Sequence, residues 1–145
     1  VVYDPRRKEL FSATQGEGAC LNGKKINVSK ADDLSDSLLA TGFSYNMETK
    51  KANMEYFRIA VEKAQAVRRA GAAALDLCYV ACGRLDGFWE LGLSPWDTAA
   101  GQLIVKEAGG CVTLLNGCDF NVIEKEIVAT NGKIHSELLS LFEAK

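Results

Sequence analysis

The chain has 145 residues, 48% of them apolar and 25% charged, enough to build one compact domain and too few for two ordinary ones. Seventeen basic and nineteen acidic residues give a net charge of −2, which excludes a strongly basic nucleic-acid binder and an acidic disordered tail. No apolar run approaches the ~18 residues of a membrane span, so neither nucleic acid nor membrane is an expected partner.

The chain opens at Val1-Val2-Tyr3 without Met, in what reads as the middle of a strand, so a piece of a longer protein is expected. Residues 1–28 alternate as a β-meander, with apolar runs at Val2, Leu10-Phe11, Ala19–Leu21 and Ile26–Val28. Asp4-Pro5, Gly16-Glu17-Gly18 and Asn22-Gly23 separate them, and Asn-Gly is a strong hairpin signal because both residues tolerate positive φ. Residues 38–43 read as a buried strand, followed by a helix with Met54, Phe57, Val61 and Ala64 on its apolar face. Val67 opens a short strand ending at Arg68-Arg69.

Residues 72–82 are apolar almost all round and predict a buried helix closed by Gly83. A short strand follows at Phe88–Leu91, and Ser94-Pro95-Trp96-Asp97 then launches a helix over 98–108, stopped by Gly109-Gly110. Strands near 111–115 and 126–130 precede a last helix carrying Ile134, Leu138, Leu141 and Phe142. Alternating helices and strands predict a layered α/β fold with a mixed sheet flanked by helices. The expected division is 1–37, the β-meander of a truncated first sheet, and 38–145, an α/β domain.

Several local patterns fail as sites. Gly18 to Lys25 nearly spells a phosphate-binding loop, but Lys25 replaces the required hydroxyl and Asn22-Gly23 sits in a hairpin. There is no G-x-S-x-G nucleophile elbow. His135, the sole histidine, is expected to be solvated or capping, and Asp86-Gly87 to be a turn. Cys20, Cys78, Cys82, Cys111 and Cys118 form no C-x-x-C pair. They are expected to be reduced core thiols of a cytoplasmic protein.

One constellation remains at the strand ends: Arg68 to Ala73, Glu90, and Ser94 to Asp97. Ligands of open α/β sheets sit beyond the strand carboxyl ends, beside helix N-termini with free N–H groups. A cationic pair, a Gly-Ala-Ala helix start and two nearby acids suggest a phosphorylated substrate carried with a divalent metal. Ser94-x-x-Asp97 with Pro95 is also a helix capping box, which would employ Asp97 without any metal.

The run Trp96-Asp97-Thr-Ala-Ala-Gly-Gln-Leu-Ile-Val-Lys-Glu-Ala-Gly109-Gly110 closely resembles the C-terminal signature of the inositol monophosphatase family. Residues 18–23, 68–84 and 85–91 resemble further segments of that family, in the same order, and lean toward its bacterial members. The resemblance implies a layered fold of the sugar-phosphatase type and Mg²⁺-dependent hydrolysis of a phosphate monoester. It implies Asp97 as metal ligand and catalytic residue, Glu90 against substrate hydroxyls, Gly71, Ala72 and Ala73 along the substrate, and Arg68 at its side. A small phosphorylated polyol such as inositol monophosphate and a homodimeric full-length form are implied as partners. The family's Asp-x-x-Asp-Gly-Thr metal loop and upstream Glu do not occur here, so the chain is expected to be an inactive C-terminal half. Fructose-1,6-bisphosphatase activity, nucleotide bisphosphate phosphatase activity, or a non-catalytic interaction module are the alternatives.

Overall fold

Residues 1–143 are described by a computed structural model of the chain. The N-terminal alternation produces a four-stranded antiparallel sheet: β1 (Val2–Asp4), β2 (Glu9–Thr14), β3 (Gly18–Leu21) and β4 (Lys24–Ile26), in that spatial order. Asn22 and Gly23 turn the β3–β4 hairpin at φ 49° and 76°, as the Asn-Gly pair predicts. Phe11 and Ala19 face inward and are fully or almost fully buried, whereas Tyr3 and Leu10 are exposed. The residues of the near phosphate-loop therefore belong to a hairpin, which offers no helix N-terminus for a phosphate.

A second, mixed sheet has the order β6-β5-β7-β9-β8. It comprises β5 (Leu38–Thr41), β6 (Ala66–Arg68), β7 (Gly87–Leu91), β8 (Cys111–Thr113) and β9 (Glu126–Thr130). Strand β5 runs parallel to both β6 and β7, while β9 is antiparallel to β7 and β8. Four helices pack on it: α1 (Met47–Lys63), α2 (Ala73–Ala81), α3 (Pro95–Glu107) and α4 (His135–Glu143).

Strand alternation distributes the core. Ala40, Phe88, Ile127 and Ala129 face α2 and α3, and that apolar cluster continues through the helices to Phe11 and Ala19 of the first sheet. Leu39, Trp89 and Val128 face the other way, against Ala60 of α1 and Leu138 and Phe142 of α4. The layers thus run α1/α4, mixed sheet, α2/α3, antiparallel sheet. The expected α/β fold with a mixed sheet is the one observed. The first sheet is also tied by polar contacts. Glu107 at the end of α3 accepts the Gly16 and Gly18 N–H groups at 2.9 Å each, and Arg84 meets the Glu9 carboxylate with both terminal nitrogens at 2.7 and 2.6 Å.

Three sequence expectations are corrected. On α1, Met54 and Val61 are about half exposed, and the helix instead buries Asn53 and Ala60 with Phe57 beside them. The reason is polar: Asn53 makes buried hydrogen bonds that set the rotation of the helix. His135 is not solvated but buried, with Nε2 and Nδ1 each 2.9 Å from the hydroxyls of Thr113 and Thr130. Of the five thiols only Cys78 is buried, and Cys118 is exposed. Asp86 does lie at a bend, where its carboxylate accepts the Leu38 N–H at 2.6 Å and its backbone carbonyl accepts the Asn131 N–H at 2.9 Å.

Candidate functional site

Strands β5, β6 and β7 share one direction, so their carboxyl ends open on the same side of the sheet. Chain segments leaving these ends, together with the N-termini of α2 and α3, enclose a cavity of about 280 Å³. Its wall includes Gly42 after β5, Arg69 after β6, Gly71 to Ala73 at the start of α2, Glu90 of β7, and Asp97 in the first turn of α3. Five of the six residues singled out from the sequence line this one cavity, which lies beyond the parallel strand ends where ligands of such sheets commonly sit.

Arg68 is the exception. It lines a second cavity of about 260 Å³ with Asp76 and Tyr79, while its neighbour Arg69 borders both spaces. Gly42 was missed in the sequence, and Arg69 was noticed only as one of the cationic pair, with the substrate-side role given to Arg68. Gly42 could have been found as the residue that ends the apolar run at 38–41.

Each acid is held differently. Asp97 Oδ2 accepts the Ser94 N–H at 2.9 Å, so the capping contact expected from Ser94-x-x-Asp97 is present, with Pro95 in the first turn. This leaves Oδ1 without a protein hydrogen-bond partner among the described residues. Glu90 packs on Gly42, where any Cβ would collide with the carboxyl group. Burial pushes the Glu90 carboxyl up to about 7, helped by the negative charges of Asp76 and Asp97 and opposed by Arg69.

Asp76, one turn into α2, is 1% exposed, and neither carboxylate oxygen has a hydrogen-bond partner. Burial raises it to about 6; the nearby Ala72 N–H, not placed for a hydrogen bond, and Arg69 offset this in part. Helix α2 has no side-chain cap at Ala72, so its first N–H groups remain available to an anion.

The donor set is one of hard oxygens that repel one another, the arrangement a divalent cation relieves. No group of three His, Cys, Asp or Glu side chains gathers in metal-binding geometry among the described residues. Mg²⁺ commonly uses one or two carboxylates with water and substrate phosphate, so Asp97 fits as one ligand of such an ion. No helix among the described residues is long and apolar enough to cross a membrane.

Comparison with known proteins gives the family and the fold of the chain. The model of the inositol monophosphatase family matches residues 1–145. Inositol-1-monophosphatase of Synechocystis is 50% identical over 139 residues, covering 95% of this chain and 48% of the relative. The Nus factor SuhB of Escherichia coli K12 is 47% identical over 143 residues, covering 97% of this chain and 53% of the relative. The solved inositol monophosphatase of Anabaena superposes with a TM-score of 0.94 at 46% identity, over 97% of this chain and 56% of that structure. The chain thus spans about half the length of these relatives.

Proposed function

The chain belongs to the inositol monophosphatase family, and from that premise we propose that it supplies the substrate wall and one metal-binding carboxylate of a phosphate monoester hydrolase. The substrate class is a small phosphorylated polyol, with inositol 1-phosphate the first to test. The observation that carries this reading is the single cavity shared by Glu90, Asp97, Arg69 and the start of α2.

In this reading Glu90 accepts hydrogen bonds from the polyol hydroxyls, held in place by its packing on Gly42. Gly71, Ala72 and Ala73 let the ligand approach the backbone, and the free N–H groups of α2 face its negative charge. Arg69 takes the substrate-side role expected for Arg68. Asp97 keeps Oδ2 on the helix cap and offers Oδ1 to Mg²⁺. When bound, Mg²⁺ would neutralise charge on the phosphoryl oxygens and lower the pKa of the attacking water. The remaining metal ligands would come from water, from the phosphate, and from the half of the relatives' length that this chain does not span.

The test is release of inorganic phosphate from inositol 1-phosphate by the chain completed to the length of its relatives, in millimolar Mg²⁺. Absence of turnover there, with the fold intact, overturns the reading. A second reading, an interaction module on the same fold, draws support from the relatives named Nus factor. It would leave the completed protein folded but inactive. Activity on fructose 1,6-bisphosphate or a nucleotide bisphosphate in place of inositol 1-phosphate would move the substrate within the same class.

A further inference from the structure

Arg69 stands between a buried acid, Asp76, and a half-buried one, Glu90, and forms an ion pair with neither. It borders the substrate cavity, where Glu90 lies, and also the second cavity, whose wall holds Asp76. Its Nη1 lies 3.1 Å from where a Cβ on residue 71 would sit, and Gly71 has φ +93°. The absent side chain is what lets the guanidinium fold back along the backbone between the two spaces. Asp76 is shut off from water with both carboxylate oxygens unpartnered. A buried carboxylate in that state draws the nearest mobile cation.

We propose that Asp76 is a positioning residue for the substrate cavity, acting through Arg69: its carboxylate holds the arginine at the boundary between the two cavities. The inference rests on the reading of the first cavity as a substrate site, since only then does the placement of Arg69 bear on catalysis. Asp76 touches no substrate. It restrains a long, exposed side chain that would otherwise sample many rotamers, and it prevents Arg69 from settling permanently on Glu90. The other charged or titratable groups on the wall of that second cavity are Arg68 from the end of β6 and Tyr79 from the same helix as Asp76. Glu90 of β7 senses it electrostatically from the far side. The coupling of Asp76 to Arg69, which offsets part of its burial, has the sign the proposal requires.

Coupling between two groups is reciprocal, which gives a test in the 145-residue chain that needs no turnover. Carboxyl-carbon NMR follows the titration of Asp76, and nitrogen NMR follows solvent exchange at Arg69 Nε–H. In Arg69→Gln the acid constant of Asp76 should fall by roughly threefold to tenfold, as expected for losing one nearby cation. Arg69→Lys should restore part of it. In Asp76→Asn, exchange at Arg69 Nε–H should become faster and follow the plain base-catalysed rise with pH between 5 and 8, and Asp76→Glu should bring back the departure from that rise. An Asp76 titration unmoved by Arg69→Gln, or Arg69 exchange unmoved by Asp76→Asn, overturns the proposal. Failure of the completed enzyme to hydrolyse phosphate esters would overturn the function instead and leave these titrations as they are.

Discussion

Asn53 on α1 accepts the indole N–H of Trp89 on its Oδ1 at 2.7 Å, inside the second core. The same side chain donates through Nδ2 to Thr41 Oγ1 at 3.1 Å and to the Gly42 carbonyl, and Thr41 Oγ1 donates to the Trp89 carbonyl at 2.7 Å. Trp89 precedes Glu90, and Gly42 carries the Glu90 carboxyl against it. One buried amide therefore fixes the register of both strand ends that shape the cavity.

Asn53→Ala strands the Trp89 N–H and the Gly42 carbonyl in an apolar setting. The expected loss is about 3 kcal/mol, from two buried groups at ~1–3 kcal/mol each. Chemical denaturation of the 145-residue chain measures it. A change below ~1 kcal/mol would mean that other groups replace the network.

Asp97→Asn separates capping from catalysis. The amide oxygen of an asparagine can still accept the Ser94 N–H, so folding stability should change by no more than the ~0.3–1 kcal/mol of a dipole interaction. Turnover of the completed enzyme should fall by orders of magnitude, because the cavity loses the carboxylate proposed to bind Mg²⁺. The 145-residue chain alone should hydrolyse no inositol 1-phosphate, with or without the substitution. Paired thermal unfolding and phosphate-release assays give both numbers, and near-normal turnover in the variant would reduce Asp97 to a cap.

Glu90 predicts a stability slope without divalent cations. Its carboxyl is raised from 4.5 to about 7 in the folded chain, by burial first and by Asp76 and Asp97 next. The folded state then holds a proton that the unfolded chain releases. The stability is therefore fully present below the unfolded value and is lost as pH rises through 7. Glu90→Gln should flatten that part of the profile, measured by urea unfolding between pH 4.5 and 8 in a chelating buffer.

His135 acts in the opposite direction. Burial lowers its pKa, so it stays neutral in the fold, and stability should be lost as pH falls below the ordinary value of 6.5. The surrounding bonds also choose its tautomer. Thr113 Oγ1 donates to the Leu114 carbonyl at 2.8 Å and so accepts from Nε2–H. Thr130 Oγ1 accepts the Gly132 N–H at 3.0 Å and is left to donate to Nδ1. Nitrogen NMR at pH 7 should show the Nε2–H form alone; a mixture of tautomers would contradict this network.

Legibility of the chain followed the kind of signal involved. Period-two alternation over residues 1–28 located the meander of β1 to β4, and the Asn22-Gly23 turn followed from its φ requirement. The cap at Ser94 and Asp97 was also readable, because capping is local chemistry. What failed depended on partners distant in sequence. Asn53 drew no expectation from the sequence, and its bonds reach residues 41, 42 and 89. His135 lacked any local hint of Thr113, twenty-two positions away. Arg68 and Arg69 are adjacent at the end of an edge strand, where one step reverses the side a residue faces, so choosing between them needed the register of β6. Asp76 was hidden by its company in an apolar helix, although a lone acid in such a stretch is itself a signal.

The contact between Glu107 and the turn at Gly16 and Gly18 changes what the covalent chain must do. The antiparallel sheet is gripped by α3 through that carboxylate, by Arg84 through Glu9, and by a core running unbroken from Phe11 to Phe88. None of these links passes through the exposed peptide between Asp32 and Asp33. A protease cutting there would produce two polypeptides and still leave one particle, and the pieces would part only on unfolding. The same clamp predicts that the two segments, made as separate chains, assemble on mixing, with the cavity formed entirely within the longer one.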